Sequence, residues 1–307
     1  MGIESDFIWM DGVLVPYNQA VVPFLTSGLH YGIAVFEGIR CYPTGRGPAI
    51  FRLNEHMTRL VESAKILGFR SLPYNPGDLS RAAVELVRAN GFASCYIRPL
   101  IYLSSPKLNL SIDDGEPRTG IACWEWGNIY GSDFLKNGVR ANISSYTRHH
   151  PNIAMTKAKI SANYANSILA KTESERLGFD EAIMLDPQGY VAECTGENLF
   201  VVHDGQISTP PLAAILEGIT RDALIHLAAD LGYSVTERMM GRDMLYTADE
   251  VFVCGTAAEV VAVREIDFRP IGNGQIGSIT AQIQKAFYEV VGGTHPRSDG
   301  WLTYVSG

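Results

Sequence analysis

Lys159 and Glu193 each lie in a segment crowded with residues capable of chemistry. The first reads Ala158-Lys-Ile-Ser-Ala-Asn-Tyr-Ala-Asn-Ser167 and the second Glu193-Cys-Thr-Gly-Glu-Asn-Leu-Phe200. A lysine amine can close an imine on a carbonyl carbon, and a carboxylate can keep a ring nitrogen protonated. These are the two groups a protein must supply to use pyridoxal 5'-phosphate (PLP) as an electron sink. A lysine taken alone is ordinarily solvated surface. Lys159 is set apart by its downstream neighbours: small residues, Asn163 and Tyr164, and no further charge until Lys171.

Two further segments could hold the anionic end of such a group. Glu217-Gly-Ile-Thr-Arg-Asp222 puts Gly218, Ile219 and Thr220 where a loop enters a helix. The first N–H groups of a helix lack internal partners and point at an anion, although an ordinary helix cap looks the same in sequence. Gly255-Thr-Ala-Ala-Glu259 comes after a strand at Glu250–Cys254, and its small residues would let backbone amides approach an anion closely. Neither segment identifies a site by itself.

The elements that must position these residues can be read from pattern. Phe7-Ile-Trp-Met10 and Val13-Leu-Val15 flank Asp11-Gly12, a hairpin signal. Leu53, Met57, Leu60, Ala64 and Leu67 recur at helical spacing, which predicts a helix over 54–67 with Asn54 as its cap and Gly68 as its stop. A second helix is expected over 79–89, then strands at 95–103 and 120–126. Turn formers concentrate between Gly127 and Gly138. Beyond them the pattern predicts a strand at 139–146, a helix over 160–177, hairpins at Asp186-Pro-Gln-Gly189 and His203-Asp-Gly205, and helices over 220–231 and 279–291. The class is α+β: a small α/β domain at 1–127, a linker at 128–138, and a large domain at 139–307 that carries Lys159. A length of 307 residues accommodates two domains.

Composition narrows the function. A hydrophobic share of 46% with 19% charged residues describes a soluble globular protein. A net charge of −8 argues against nucleic acid or an anionic membrane as the main partner, while leaving room for a local basic pocket. No apolar run approaches the roughly 20 residues of a membrane span, and Met1–Gly12 has no basic-then-apolar leader, so a cytoplasmic protein is expected. The five cysteines are odd in number and scattered, with no Cys-x-x-Cys spacing, which argues against disulfides and metal. Cys194, beside Glu193, reads as a core or lining residue. His149, His150 and His203 lack spaced ligand partners, so no metal site is expected. Gly272-Asn-Gly-Gln-Ile-Gly277 fits the dinucleotide fingerprint letter for letter but has no βαβ context, and reads as a loop into the last helix.

Over essentially its whole length the chain resembles the branched-chain-amino-acid aminotransferases, PLP enzymes of the D-amino-acid-aminotransferase-like fold (fold type IV). The resemblance is carried by Tyr31-Gly-Ile-Ala-Val-Phe-Glu-Gly-Ile-Arg40, Tyr96-Ile-Arg-Pro-Leu-Ile101, Lys159 with Asn163-Tyr164, and Glu193–Phe200. Gly218–Asp222 and Gly255–Glu259 complete it. It implies PLP-dependent, ping-pong transfer of the amino group of leucine, isoleucine or valine to 2-oxoglutarate. It also implies amino acids and 2-oxo acids as the only small-molecule partners, and a homodimer or higher homo-oligomer. Residue by residue, Lys159 would hold the cofactor as an imine and carry the proton at the substrate Cα, helped by burial that lowers its pKa. Glu193 would pair with the ring nitrogen, Tyr164 with the phenolic oxygen, and Leu216 would pack on the ring. Arg59, Ile219, Thr220 and Thr256 would hold the phosphate. Phe36, Tyr164 and Trp126 would form an apolar wall for the substrate, and Tyr31 and Arg98 would meet the distal carboxylate of glutamate. Tyr96 and the amides of Thr256 and Ala257 would bind the α-carboxylate.

The chain departs from many relatives in two places. Tyr130 stands one residue later than the usual tyrosine after Trp126-Gly127, and Ser104–Leu110 replaces a Gly-Met-Gly-Val-like loop that usually reaches the neighbouring subunit. Both bear on side-chain range and leave the reaction type alone. The nearest rivals keep the cofactor: a D-amino acid or (R)-amine transaminase, or an aminodeoxychorismate lyase of the same fold. The intact segments at 31–40 and 96–98 favour the branched-chain reading. A catalytically silent binding protein is the rival from another class, and the presence of both Lys159 and Glu193 argues against it.

Overall fold

The structure, a computed structural model, describes residues 5–105, 107–126 and 132–306. It divides into two compact units. The first comprises Met1–Gly127, Ala158–Asn163 and Val290–Gly307; the second comprises Asn128–Lys157 and Tyr164–Glu289.

The first unit is built on an antiparallel sheet. The strands Cys95–Ser104 and Glu116–Trp124 form its long central pair, and Ile39–Thr44 lies on the other side of Cys95–Ser104. The expected hairpin of Phe7–Met10 with Val13–Pro16 extends one edge. The helix Leu53–Leu67 packs Leu53, Met57, Leu60 and Ala64 into a core shared with Leu79, Ala83 and Leu86 of the helix Pro76–Asn90. Each fully buried Leu or Met contributes about 1.5–3 kcal/mol, which fixes the rotation of the first helix and so the direction of its polar stripe. Asn54 is not the cap expected of it. The N-cap is Arg52, at φ 50°, whose N–H donates to the Trp301 carbonyl at 2.7 Å and whose guanidinium lies 5.0 Å from the Trp301 ring. The C-terminal segment thus anchors the N-cap residue through its own N–H, and Asn54 instead accepts a hydrogen bond from Ser80.

Two segments that the sequence division assigns to the large domain pack with this first unit. Strand Leu302–Tyr304 pairs antiparallel with Gly47–Phe51. Ile160 bridges Val35, and the Phe36 N–H donates to the Lys159 carbonyl at 3.1 Å. Backbone pairing between positions so far apart in the chain is what draws Ala158–Asn163 out of its C-terminal half. The helix predicted from Ile160 starts only at Tyr164, after a single 3-10 turn at Ser161–Asn163.

The second unit holds a mixed sheet. Val139–Ile143 runs parallel to both Glu181–Leu185 and Glu259–Ile266, and the remainder is mostly hairpins. Both expected hairpins form, Glu181–Leu185 with Val191–Cys194 and Asn198–His203 with Gln206–Thr209. The core joins Val139, Ile183, Leu199, Val253 and Val261, and Cys194 is buried within it. All five cysteines are free and buried. Gly272–Gly277 is a loop into the helix Ser278–Val291. The N-terminus of that helix is bound by the Glu250 carboxylate, which accepts from the Ile279 and Thr280 amides at 3.0 and 2.7 Å.

Candidate active site

The expected site residues divide between the two units. In the first, Lys159 is fastened at both ends of its backbone. Its N–H donates to Ser63 Oγ at 3.1 Å, and its carbonyl receives the Phe36 amide. Its Nζ lies 5.1 Å from the centre of the Phe36 ring. The same ring has the Arg98 guanidinium 4.7 Å away, and Arg98 Nη2 reaches the Tyr96 hydroxyl at 3.4 Å. Tyr96 packs on Trp126 with ring centres 4.9 Å apart. Gly38 makes room for this arrangement, because a Cβ there would fall 1.9 Å from the Tyr96 hydroxyl. Phe36, Tyr96, Arg98 and Trp126 therefore form one cluster, a set of rings against which the Arg98 guanidinium lies. Tyr31 stands apart from them, exposed, with its hydroxyl donating to the Leu108 carbonyl at 3.4 Å. Tyr130 lies outside the described residues, as does Pro106 within the 104–110 segment.

Arg59, expected to meet the phosphate, is held by a residue that sequence reasoning missed. Its Nε and Nη2 donate to the two oxygens of Glu37 at 2.6 and 2.8 Å. His56, one turn earlier on the same helix, bonds Glu37 Oε2 through Nδ1 at 2.7 Å. Burial by itself would raise the Glu37 pKa. The charge of Arg59, the His56 hydrogen bond and charge, and the Arg59 hydrogen bonds outweigh it and hold the carboxyl well below the usual carboxylate range. Burial, with the charges of Arg59 and Lys159, lowers the His56 pKa against the hydrogen bond and charge of Glu37, which raise it. The signal was present: a Glu inside the apolar run Ala34–Ile39 must find partners, and His56 and Arg59 stand three apart on one helix face.

In the second unit Glu193 is buried at the end of strand Val191–Cys194. Its Oε1 pairs with Arg148 Nη2 at 2.9 Å, while Oε2 accepts from Asn198 Nδ2 and the Leu216 amide, both at 3.3 Å. Arg148 had no signal in the sequence, since it sits in an irregular stretch far from Glu193 along the chain. Ile219 and Thr220 open the helix Ile219–Asp230 and are buried. Its N-cap, Gly218, supplies no side-chain hydrogen bond, and a Cβ there would fall 1.9 Å from Asn198 Oδ1. Thr256 and Ala257 occupy the turn between strands Glu250–Gly255 and Glu259–Ile266. Tyr164 is the first residue of the helix Tyr164–Arg176. A cavity of about 250 Å³ in this unit, lined by Tyr190, Pro210, Pro211 and Met239 among others, includes none of these residues.

The donor set suits PLP. A helix N-terminus opening on a glycine, with a buried threonine hydroxyl beside it, is chemistry for a phosphate. A buried carboxylate paired with arginine can keep a ring nitrogen protonated.

A family model described as Amino-transferase class IV matches residues 34–266. A branched-chain-amino-acid aminotransferase of Pseudomonas aeruginosa is 45% identical over 305 residues, covering 99% of each chain. Among solved structures, a T.th. branched-chain amino acid aminotransferase with pyridoxamine 5'-phosphate superposes with a TM-score of 0.96 at 47% identity, covering 99% of this chain and 100% of that one. The same T.th. enzyme complexed with N-(5'-phosphopyridoxyl)-L-glutamate gives 0.95 at 46%, with the same coverage. The chain is an enzyme of the class IV aminotransferases, and within them it belongs to the branched-chain-amino-acid aminotransferase family.

Proposed function

We propose that the enzyme moves the amino group of L-leucine, L-isoleucine or L-valine to 2-oxoglutarate, with PLP as cofactor, in two half-reactions on one shared site. When bound, the cofactor supplies the electron sink for the Cα–H bond of the amino acid. The observation that carries the assignment is Arg98. This part-buried arginine forms no ion pair among the described residues, and its Nε is buried without a hydrogen bond there. It lies against the rings of Phe36 and Tyr96. A wall of that composition suits a branched aliphatic side chain, and the cation gives the second carboxylate of glutamate a partner in the same space. The similarity to branched-chain enzymes favours this reading over the D-amino acid, (R)-amine and lyase alternatives.

The other residues take the following parts. Lys159 removes the proton at the substrate Cα and returns it at the cofactor, its amine swinging from a backbone held by Ser63 and Phe36. Glu193, kept ionised by Arg148, holds the proton on the ring nitrogen. Tyr164 bonds the phenolic oxygen and Leu216 packs on the ring face. Arg59, Ile219, Thr220 and Thr256 hold the phosphate. Tyr96 with the amides of Thr256 and Ala257 binds the α-carboxylate, and Trp126 closes the apolar wall. Two features support a dimer and a reducing compartment. Val21, Phe24, Leu25 and Leu29 form an exposed apolar run suited to a second copy of the chain, and all five cysteines are free. We therefore place the enzyme in the cytoplasm as a homodimer. No helix among the described residues is long and apolar enough to cross a membrane.

The test is the absorption spectrum of the purified protein. Its visible cofactor band should give way to a near-ultraviolet one on adding L-leucine and return on adding 2-oxoglutarate. A band that ignores L-leucine and answers D-leucine would overturn the assignment.

A further inference from the structure

Glu37 is a carboxylate with no exposed surface, and it spends both oxygens on protein partners. A buried pair of this kind is poor evidence for stability, because apolar residues of the same volume often do as well. Its geometry offers a better reason for it. The two Arg59 bonds use the Nε and Nη2 edge of the guanidinium, which fixes the rotation of that group and turns the Nη1 corner away from Glu37. His56 adds a third donor. Because Glu37 is ionised and can only accept, Nδ1 must carry the hydrogen, and this fixes the carboxylate in turn.

The setting ties this assembly to Lys159. His56, Arg59 and Ser63 lie at successive positions of one stripe on the helix Leu53–Leu67, and Ser63 is the residue that fastens the Lys159 N–H. Glu37 comes directly after Phe36, whose amide fastens the Lys159 carbonyl. Two adjacent residues at the end of a strand and one helix stripe therefore hold the lysine backbone and the Arg59 guanidinium in a single frame.

We propose that Glu37, seconded by His56, is a positioning residue for cofactor capture: it sets Arg59 at a fixed place relative to Lys159, so that the phosphate end and the aldehyde end are gripped in register. This rests on the reading of Arg59 as a phosphate ligand and Lys159 as the imine-forming residue.

The full-length chain is titrated with PLP and with pyridoxal, which has the aldehyde and lacks the phosphate. The ratio of the two dissociation constants reports phosphate capture alone. In Glu37→Gln the advantage of PLP over pyridoxal should shrink about tenfold or more, the order seen when a supporting partner of a liganding group is removed, while pyridoxal binding stays within about twofold of wild type. Parallel losses for both compounds, or no loss for either, would overturn the proposal. Should Glu37→Gln not fold, Arg59→Gln and the double variant Glu37→Gln/Arg59→Gln decide it, since the double variant buries no unpaired charge. Equal ratios in these two show that Glu37 acts through Arg59, and a further fall in the double variant shows that it does not. An Arg59→Gln variant that keeps the wild-type ratio would remove the reading of Arg59 as a phosphate ligand, and the proposal with it.

Discussion

Two buried glutamates, each paired with an arginine, are held by different partners in the two units. Glu37 is gripped at 2.6, 2.7 and 2.8 Å by Arg59 and His56. Glu193 meets Arg148 at 2.9 Å and both Asn198 and the Leu216 amide at 3.3 Å. Short bonds on every side make a carboxylate a fixture, able to aim its arginine and little else. In the roles proposed above, the same pair of residue types would give an aligning device in one place and a reactive group in the other.

The comparison is broken most directly at Glu193. In Glu193→Gln at saturating cofactor, single-turnover rates of both half-reactions should fall about 10²–10³-fold, as when one preorganised electrostatic partner is removed. Glu37→Gln under the same conditions should fall far less. Its main cost should appear as about 3–5 kcal/mol of stability, from breaking a buried ion pair. Equal rate losses would erase the distinction between the two carboxylates.

Arg98 sharpens the contrast, as an arginine with no carboxylate of its own among the described residues. Arg98→Ala should slow the glutamate half-reaction about 10–100-fold, the worth of a charge-assisted hydrogen bond, and the leucine half-reaction far less. Rapid-mixing measurements of each half-reaction decide this, and equal slowing would remove Arg98 from its place beside glutamate.

The smallest expected effect is on acid stability. The His56 pKa is lowered in the fold, so below its ordinary value of 6.5 the unfolded chain takes up the proton more readily and stability falls with pH. Glu37 is held ionised, so its own contribution is lost only as pH drops below the ordinary 4.5 toward its lower folded value. Acid loss should come in two stages. His56→Asn, whose amide can still donate to Glu37, should abolish the first, worth up to about 1.4 kcal/mol per pH unit. Denaturant unfolding of the holoenzyme between pH 7 and 5 measures it, and an unchanged slope would show that His56 is not the group responsible.

Much of this is legible in the chain itself. The hairpins, the amphipathic helices and the chemistry-bearing segments around Lys159, Glu193, Gly218 and Gly255 are local patterns, and local patterns survive in sequence. Partnership over distance stays hidden. Arg148 meets Glu193 and Trp301 anchors the N-cap residue Arg52 only because the backbone folds back, and nothing at either position announces it. The Lys159 segment reads as the start of a helix by composition. Pairing with Val35 and Phe36 overrides that tendency and delays the helix to Tyr164.

That override has a consequence for turnover. A two-stage catalyst must bring the same amine back to the same starting point after every half-cycle, or errors of placement would accumulate from one substrate to the next. A lysine on a helix can drift when its helix frays or shifts. Here Ser63 and Phe36 pin the lysine's main chain at its N–H and its carbonyl, so in the role proposed for Lys159 the side chain would move as a crank on a fixed axle, with resetting built into the architecture rather than left to each substrate.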